Sequence, residues 1–194
     1  RLGKKQFNIA ETEKYAHVTY FFNGGRKKAF EGEEQVLIPS PREVHTYDEK
    51  PEMSAYQVKD RLLQALGENY DFYLVNFANG DMVGHTGNYK ATVKAIEAVD
   101  QCVGELMTKC EQEGITLLLT ADHGNCDQMV YKDGSRHTSH TNSPVPFAVF
   151  HPELKGKELE LNGEGHALMD VSPTVLTVMG IDLPENFEGH SIFK

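Results

Sequence analysis

No apolar run in this sequence approaches the ~20 residues that a membrane-spanning helix requires, so a helical membrane anchor is not expected. The opening residues Arg1-Leu2-Gly3-Lys4-Lys5-Gln6 are basic, but no long apolar stretch follows them. That pattern is not a secretory signal, and a cytoplasmic address is the expectation. Cysteine is sparse. Cys102, Cys110 and Cys126 make an odd number without Cys-x-x-Cys spacing, which argues against a disulfide framework and against a thiolate zinc site. Positive charge is also in deficit, with 19 Lys and Arg against 29 Asp and Glu and a formal net charge of −10. Such a chain has no electrostatic footprint for nucleic acid. An anionic substrate would have to be drawn by local cations, either bound metal or a few placed lysines and arginines.

What is present is enough for one substantial core: 194 residues, 39% of them hydrophobic. Phe7 to Ala10 is a short apolar stretch, residues 15–22 read as helix, and Gln35-Val36-Leu37-Ile38 reads as a strand stopped by Pro39 and Pro41. Residues 54–66 repeat apolar positions at helical spacing behind Ser54, a candidate N-cap. Residues 71–77 read as a buried strand. Residues 89–113 read as a long amphipathic helix with Val93, Ala95, Ile96, Val99, Val103, Leu106 and Met107 on one face and Gly114 at its end. Residues 115–120 and 146–150 read as further buried strands, and a last helix is expected from Ser172-Pro173 to Gly180. This alternation predicts an α/β fold, a mostly parallel sheet flanked by helices, with no linker dividing residues 1–194.

Two Asp and three His, in three short runs, carry the chemistry. Asp81 and His85 lie in Asn79-Gly80-Asp81-Met82-Val83-Gly84-His85, Asp122 and His123 in Ala121-Asp122-His123-Gly124-Asn125, and His140 in His137-Thr138-Ser139-His140-Thr141. The first two runs directly follow predicted strands, and loops leaving the carboxyl ends of parallel strands converge on one rim. Carboxylate oxygen mixed with imidazole nitrogen suits Mn²⁺, Zn²⁺ or Co²⁺ better than Ca²⁺ or an iron–sulfur cluster. Alone, Asp81 would suit a turn and Asp122 a helix start; their joint occurrence makes the case. Of His17, His45, His137, His151, His166 and His190, most are expected to be solvated. Spacing alone does not choose between His137 and His140.

The runs from Ala10-Glu11-Thr12-Glu13-Lys14-Tyr15 through Phe22-Asn23-Gly24-Gly25, Gly80-Asp81-Met82-Val83-Gly84-His85, Ala121-Asp122-His123-Gly124-Asn125, His137-Thr138-Ser139-His140-Thr141 and Asp170-Val171-Ser172-Pro173-Thr174 closely resemble cofactor-independent phosphoglycerate mutase, of the alkaline phosphatase superfamily. The resemblance implies two divalent ions, Mn²⁺, one held by Asp81, His85 and His140 and the other involving Asp122 and His123. It implies that Lys14 contacts the transferred phosphoryl group, and that 3-phosphoglycerate and 2-phosphoglycerate are the substrates, exchanged through a phosphoserine. The family's serine nucleophile and its inserted, glycerate-binding domain have no match here. Ser40, Ser54, Ser135, Ser139, Ser143, Ser172 and Ser191 sit in turn or cap contexts. The chain is therefore expected to be the C-terminal part of the phosphatase domain, inactive by itself, weak toward the second ion, and prone to self-association through an uncovered strand edge, whereas the parent is expected to be monomeric. A related phosphatase or phosphopentomutase, or a noncatalytic metal-binding fragment, are the alternatives.

Overall fold

β1, Gln6–Glu11, is the spine of a three-stranded parallel sheet with the order β2-β1-β3, where β2 is Glu33–Ile38 and β3 is Phe72–Asn76. The structure is a computed structural model that describes residues 2–194. Register runs Gln6 against Glu33 and Phe72, and Ala10 against Leu37 and Asn76. Phe7, Ile9 and Ala10 are fully buried. β1 also carries Asn8 and Glu11 in full burial, each with a polar partner: Asn8 Nδ2 donates to Glu33 Oε1 at 3.1 Å, and Ser40 Oγ donates to Glu11 Oε2 at 2.8 Å. The flanking strands are only half-buried, as the edges of a sheet are.

α1, Thr12–Ala16, continues directly into a π-helical segment, His17–Phe21, and α2, Ala55–Ala65, connects β2 to β3. Ser54 occupies the N-cap position of α2, but its hydroxyl donates to the Pro39 carbonyl at 2.7 Å and does not cap the helix. α3, Asn79–Gly84, replaces the expected loop after β3 with a short helix. α4, Tyr89–Glu113, has the predicted span, yet its buried line is Ala91, Ala95, Ala98, Cys102, Leu106 and Cys110. Val93 and Ile96 are exposed. Small side chains allow a helix to approach its neighbours closely, so burial follows the small residues, while periodicity read from the bulkiest residues points to the flank. Met53, Ala78, Val83, Ala91 and Ala95 form one buried cluster under the site, with Tyr47 and Met82 packed on it.

The described residues divide into two compact units. One comprises the residues up to Glu113 with His123–Pro144, and the other Gly114–Asp122 with Val145–Lys194. The second unit holds β4, Leu117–Thr120, and β5, Phe147–Phe150, paired antiparallel, with Leu117 opposite Phe150 and Thr120 opposite Phe147. The sequence pattern predicts buried strands of a mostly parallel sheet for both; instead each has one hydrogen-bonded neighbour strand among the described residues, and Leu119 and Thr120 are exposed. The last helix, α5, spans Val171–Val178 with Asp170, not Ser172, at its N-cap position. The fully buried Thr174 ties α5 to the C-terminal segment, its hydroxyl donating to the Asp170 carbonyl at 2.6 Å and accepting from Ile192 N at 2.9 Å. Among the described residues no helix is long and apolar enough to cross a membrane.

Candidate metal centre

The carboxyl ends of β1 and β3, neighbours in the parallel sheet, deliver the first two residues of the site. β1 runs into α1, which carries Lys14, and β3 is followed by α3, which carries Asp81. The Lys14 ammonium donates to Asp81 Oδ2 in an ion pair whose side chains are 8% and 15% exposed. Burial by itself would push the Asp81 carboxyl up. The Lys14 ammonium and the Asn125 amide outweigh that penalty and hold it at about 2, so the group is ionised.

His85 follows Asp81 by one helical turn and places Nε2 2.9 Å from Asp81 Oδ1. Its Nδ1 lies 2.7 Å from the Thr138 carbonyl oxygen. A carbonyl only accepts, so Nδ1 donates to it, and a cation bound by this ring would be taken at Nε2. His140 brings its own Nε2 to 3.1 Å from Asp81 Oδ1 and 3.1 Å from His85 Nε2. Three electron-rich atoms thus form a nearly equilateral triangle. A proton can relieve one edge of it; a divalent cation above the triangle relieves all three. Ligand atoms about 2.0–2.1 Å from a tetrahedral ion lie roughly 3.3 Å apart, close to the spacing seen here. The donor set therefore fits a divalent d-block cation.

Backbone packing holds these side chains in place. Asn125, 5% exposed, donates through Nδ2 to Asp81 Oδ1 at 2.8 Å and to the Asp81 carbonyl at 3.3 Å. It fits only because residue 84 is glycine, since a Cβ there would lie 2.4 Å from Asn125 Oδ1. Thr141 N donates to the Gly124 carbonyl at 2.9 Å, and the Thr141 hydroxyl reaches both oxygens of Asp127, joining the two histidine-bearing loops. The His123 ring stacks on His140 at 3.7 Å between centroids, and His123, His140 and Asp81 offer ligand atoms within 4.8 Å of one another. Asp122 is exposed and ends the Gly114–Asp122 segment of the second unit, one residue before His123.

Residues 1–183 match the family described as the metalloenzyme superfamily. The chain belongs to that superfamily. This metalloenzyme chain is 53% identical over 190 residues to a 2,3-bisphosphoglycerate-independent phosphoglycerate mutase of Myxococcus xanthus, covering 97% of this chain and 36% of that protein. It is 52% identical to a protein of the same name from Syntrophotalea carbinolica, covering 100% of this chain and 37% of the other. A crystal structure of Leishmania mexicana phosphoglycerate mutase, determined at low cobalt concentration, superposes with a TM-score of 0.90 at 34% identity, over 99% of this chain and 37% of that one. The metalloenzyme chain thus spans a little over a third of the length of the relatives it matches.

Among the predicted residues, the structure brings Lys14, Asp81, His85, His123 and His140 together. His137 is only 7% exposed, its ring against Tyr131 at 4.5 Å, and takes no part in the triangle. It is an exception to the expectation that most of the six remaining histidines are solvated. Sequence reading missed Asn125 and the Thr138 carbonyl. Asn125 directly follows the Asp-His-Gly run and could have drawn attention; a backbone oxygen leaves no mark in a sequence.

Proposed function

We propose that this chain carries the metal-holding residues and the phosphoryl-contacting lysine of a cytoplasmic phosphoglycerate mutase, which interconverts 3-phosphoglycerate and 2-phosphoglycerate through a phosphoserine intermediate. The observation that carries this reading is the triangle of Asp81 Oδ1, His85 Nε2 and His140 Nε2, with Lys14 on the opposite carboxylate oxygen. The names of the relatives supply the reaction. In this reading Asp81, His85 and His140 hold one Mn²⁺, and Asp122 and His123 belong to a second. When bound, the ions supply charge neutralisation at the phosphoryl group and a lowered pKa for the attacking hydroxyl.

The chain's own side chains do the positioning. Asp81 anchors the buried Lys14 ammonium at the sheet rim, where it can accompany phosphoryl oxygens. The Thr138 carbonyl selects the His85 tautomer, and Asn125 fixes the Asp81 carboxylate. The test is a coupled assay of 3-phosphoglycerate conversion, applied both to this chain and to the complete protein that contains it, before and after chelation and Mn²⁺ add-back. Conversion by the complete protein that is lost on chelation, restored by Mn²⁺ and abolished by Asp81→Ala is expected. Release of inorganic phosphate without interconversion would replace the mutase reading with a phosphatase.

A further inference from the structure

In the second unit, the turn at Asn162-Gly163-Glu164-Gly165 delivers His166 beside the start of α5, and the C-terminal segment delivers His190 to the same carboxylate. His166 Nδ1 lies 3.7 Å from Asp170 Oδ2, and His190 Nδ1 lies 3.9 Å from Asp170 Oδ1. The two rings are 6.2 Å apart between centroids, and one ligand atom from each of the three residues falls within 4.8 Å of the others.

Asp170 is 4% exposed and well seated: Ala167 N donates to Oδ2 at 2.9 Å and His190 N to Oδ1 at 3.0 Å. Those two backbone donors hold its carboxyl below the usual range, and each oxygen keeps a free lone pair. The independent observation is His166. Both of its ring nitrogens are shut off from solvent and neither has a hydrogen-bond partner. A half-buried imidazole whose two nitrogens are shut off from water and unmet, beside a carboxylate, is costly unless something is meant to sit between them.

The backbone of His190 is tied to Asp170. A Cβ on Gly189 would lie 2.2 Å from the Met169 carbonyl oxygen, so only glycine permits the approach that places residue 190 against Asp170. The His190 side chain is 60% exposed, which leaves one side of the cluster open to water. Two imidazole nitrogens, one carboxylate oxygen and an open position make the donor set of a four-coordinate d-block ion, and too few oxygens for Ca²⁺ or Mg²⁺. The donor atoms lie within 4.8 Å of one another, against the roughly 3.3 Å that a tetrahedral ion asks for.

We propose that His166, Asp170 and His190 form a metal site of their own for a divalent d-block cation, one that clamps the C-terminal segment onto the start of α5. The site shares no residue with the Asp81 centre and stands whether or not the mutase reading does.

The test uses Zn²⁺ alone. In the full chain carrying His85→Ala and His140→Ala, calorimetric titration should show one equivalent of Zn²⁺ bound. Adding either His166→Ala or His190→Ala should weaken that binding by more than about 10-fold, the lower end of what loss of a supporting partner costs. Absence of binding in the first variant, or indifference to both added substitutions, overturns the site. Should those variants not fold by circular dichroism, the unsubstituted chain labelled with ¹⁵N-histidine decides: Zn²⁺ should move the ring-nitrogen resonances of His166 and His190, and resonances that stay in place at saturation overturn the proposal.

Discussion

The Asp81 and Asp170 clusters contain the same residue types, one aspartate and histidines, yet they are built oppositely. Asp81 gives one oxygen to Lys14 and turns the other toward two imidazoles at 2.9 and 3.1 Å. Asp170 spends both oxygens on backbone N–H groups, and its imidazoles stand off at 3.7 and 3.9 Å. What a carboxylate can do for a cation depends on what else it must satisfy. At Asp81 a side-chain ammonium compensates charge on one oxygen and a single Asn125 amide steadies the other where it faces the imidazoles, whereas at Asp170 a backbone donor on each oxygen fixes position without a compensating cation at hydrogen-bond distance.

The sharpest break in this comparison is Asp81→Ala. It should lower Mn²⁺ affinity at the first cluster by more than about 100-fold, since loss of a ligand exceeds loss of a supporting partner, and abolish turnover in the complete protein. Zn²⁺ binding at His166, Asp170 and His190 should not change. Parallel calorimetry of the two ions reads both, and a joint loss would show that the substitution acted through folding.

Next in size is Lys14→Met. Without metal it strands the nearly buried Asp81 charge, a loss of about 3 kcal/mol by analogy with broken buried pairs. Mn²⁺ should return most of that stability by binding the folded chain. Urea unfolding with and without Mn²⁺ measures the difference; an equal loss in both conditions would mean that Lys14 does not act through Asp81.

The two glycines that permit close approach differ in what they face. Gly189→Ala would press on the Met169 backbone and should cost about 2–3 kcal/mol, in the range of overpacked sites. Gly84→Ala meets the Asn125 side-chain amide, which can swing aside, so its cost should be nearer about 1 kcal/mol, with metal affinity falling instead. Urea midpoints that rank the two in reverse order would contradict this.

The smallest effect is expected at Glu11, a fully buried carboxylate with no ion-pair partner among the described residues. Burial raises its pKa, and the Ser40 hydroxyl and Ser54 amide only partly offset this. A carboxyl raised in the folded state contributes stability below its ordinary pKa and loses it as pH climbs through the raised value. Glu11→Gln should therefore gain on the unsubstituted chain as pH rises above the ordinary carboxyl value, as urea midpoints across pH would show. Identical pH profiles would show that the Glu11 site tolerates charge.

How much of this was legible in advance varies with the length scale of the interaction. α4 was readable to its ends because twenty-five residues of uninterrupted periodicity and Gly114 act locally. β1 was read only as an apolar stretch, because Asn8 and Glu11 break its hydrophobic pattern and are buried on partners from β2 and the segment after it. Of the site, the five metal-type side chains stood out by residue type, while Asn125, the Thr138 carbonyl and the burial of His137 did not.

By itself the sequence determined the α/β class, the long helices and the donor atoms available, since composition and local spacing carry these, and the resemblance of its motif runs pointed to the superfamily. Only the tertiary structure decided which histidine of 137 and 140 meets Asp81, which nitrogen of His85 bears the proton, and that His166 and His190 share one aspartate. Each of those depends on backbone segments tens of residues apart meeting within hydrogen-bond distance, and that meeting is set by packing, on which local sequence pattern is silent.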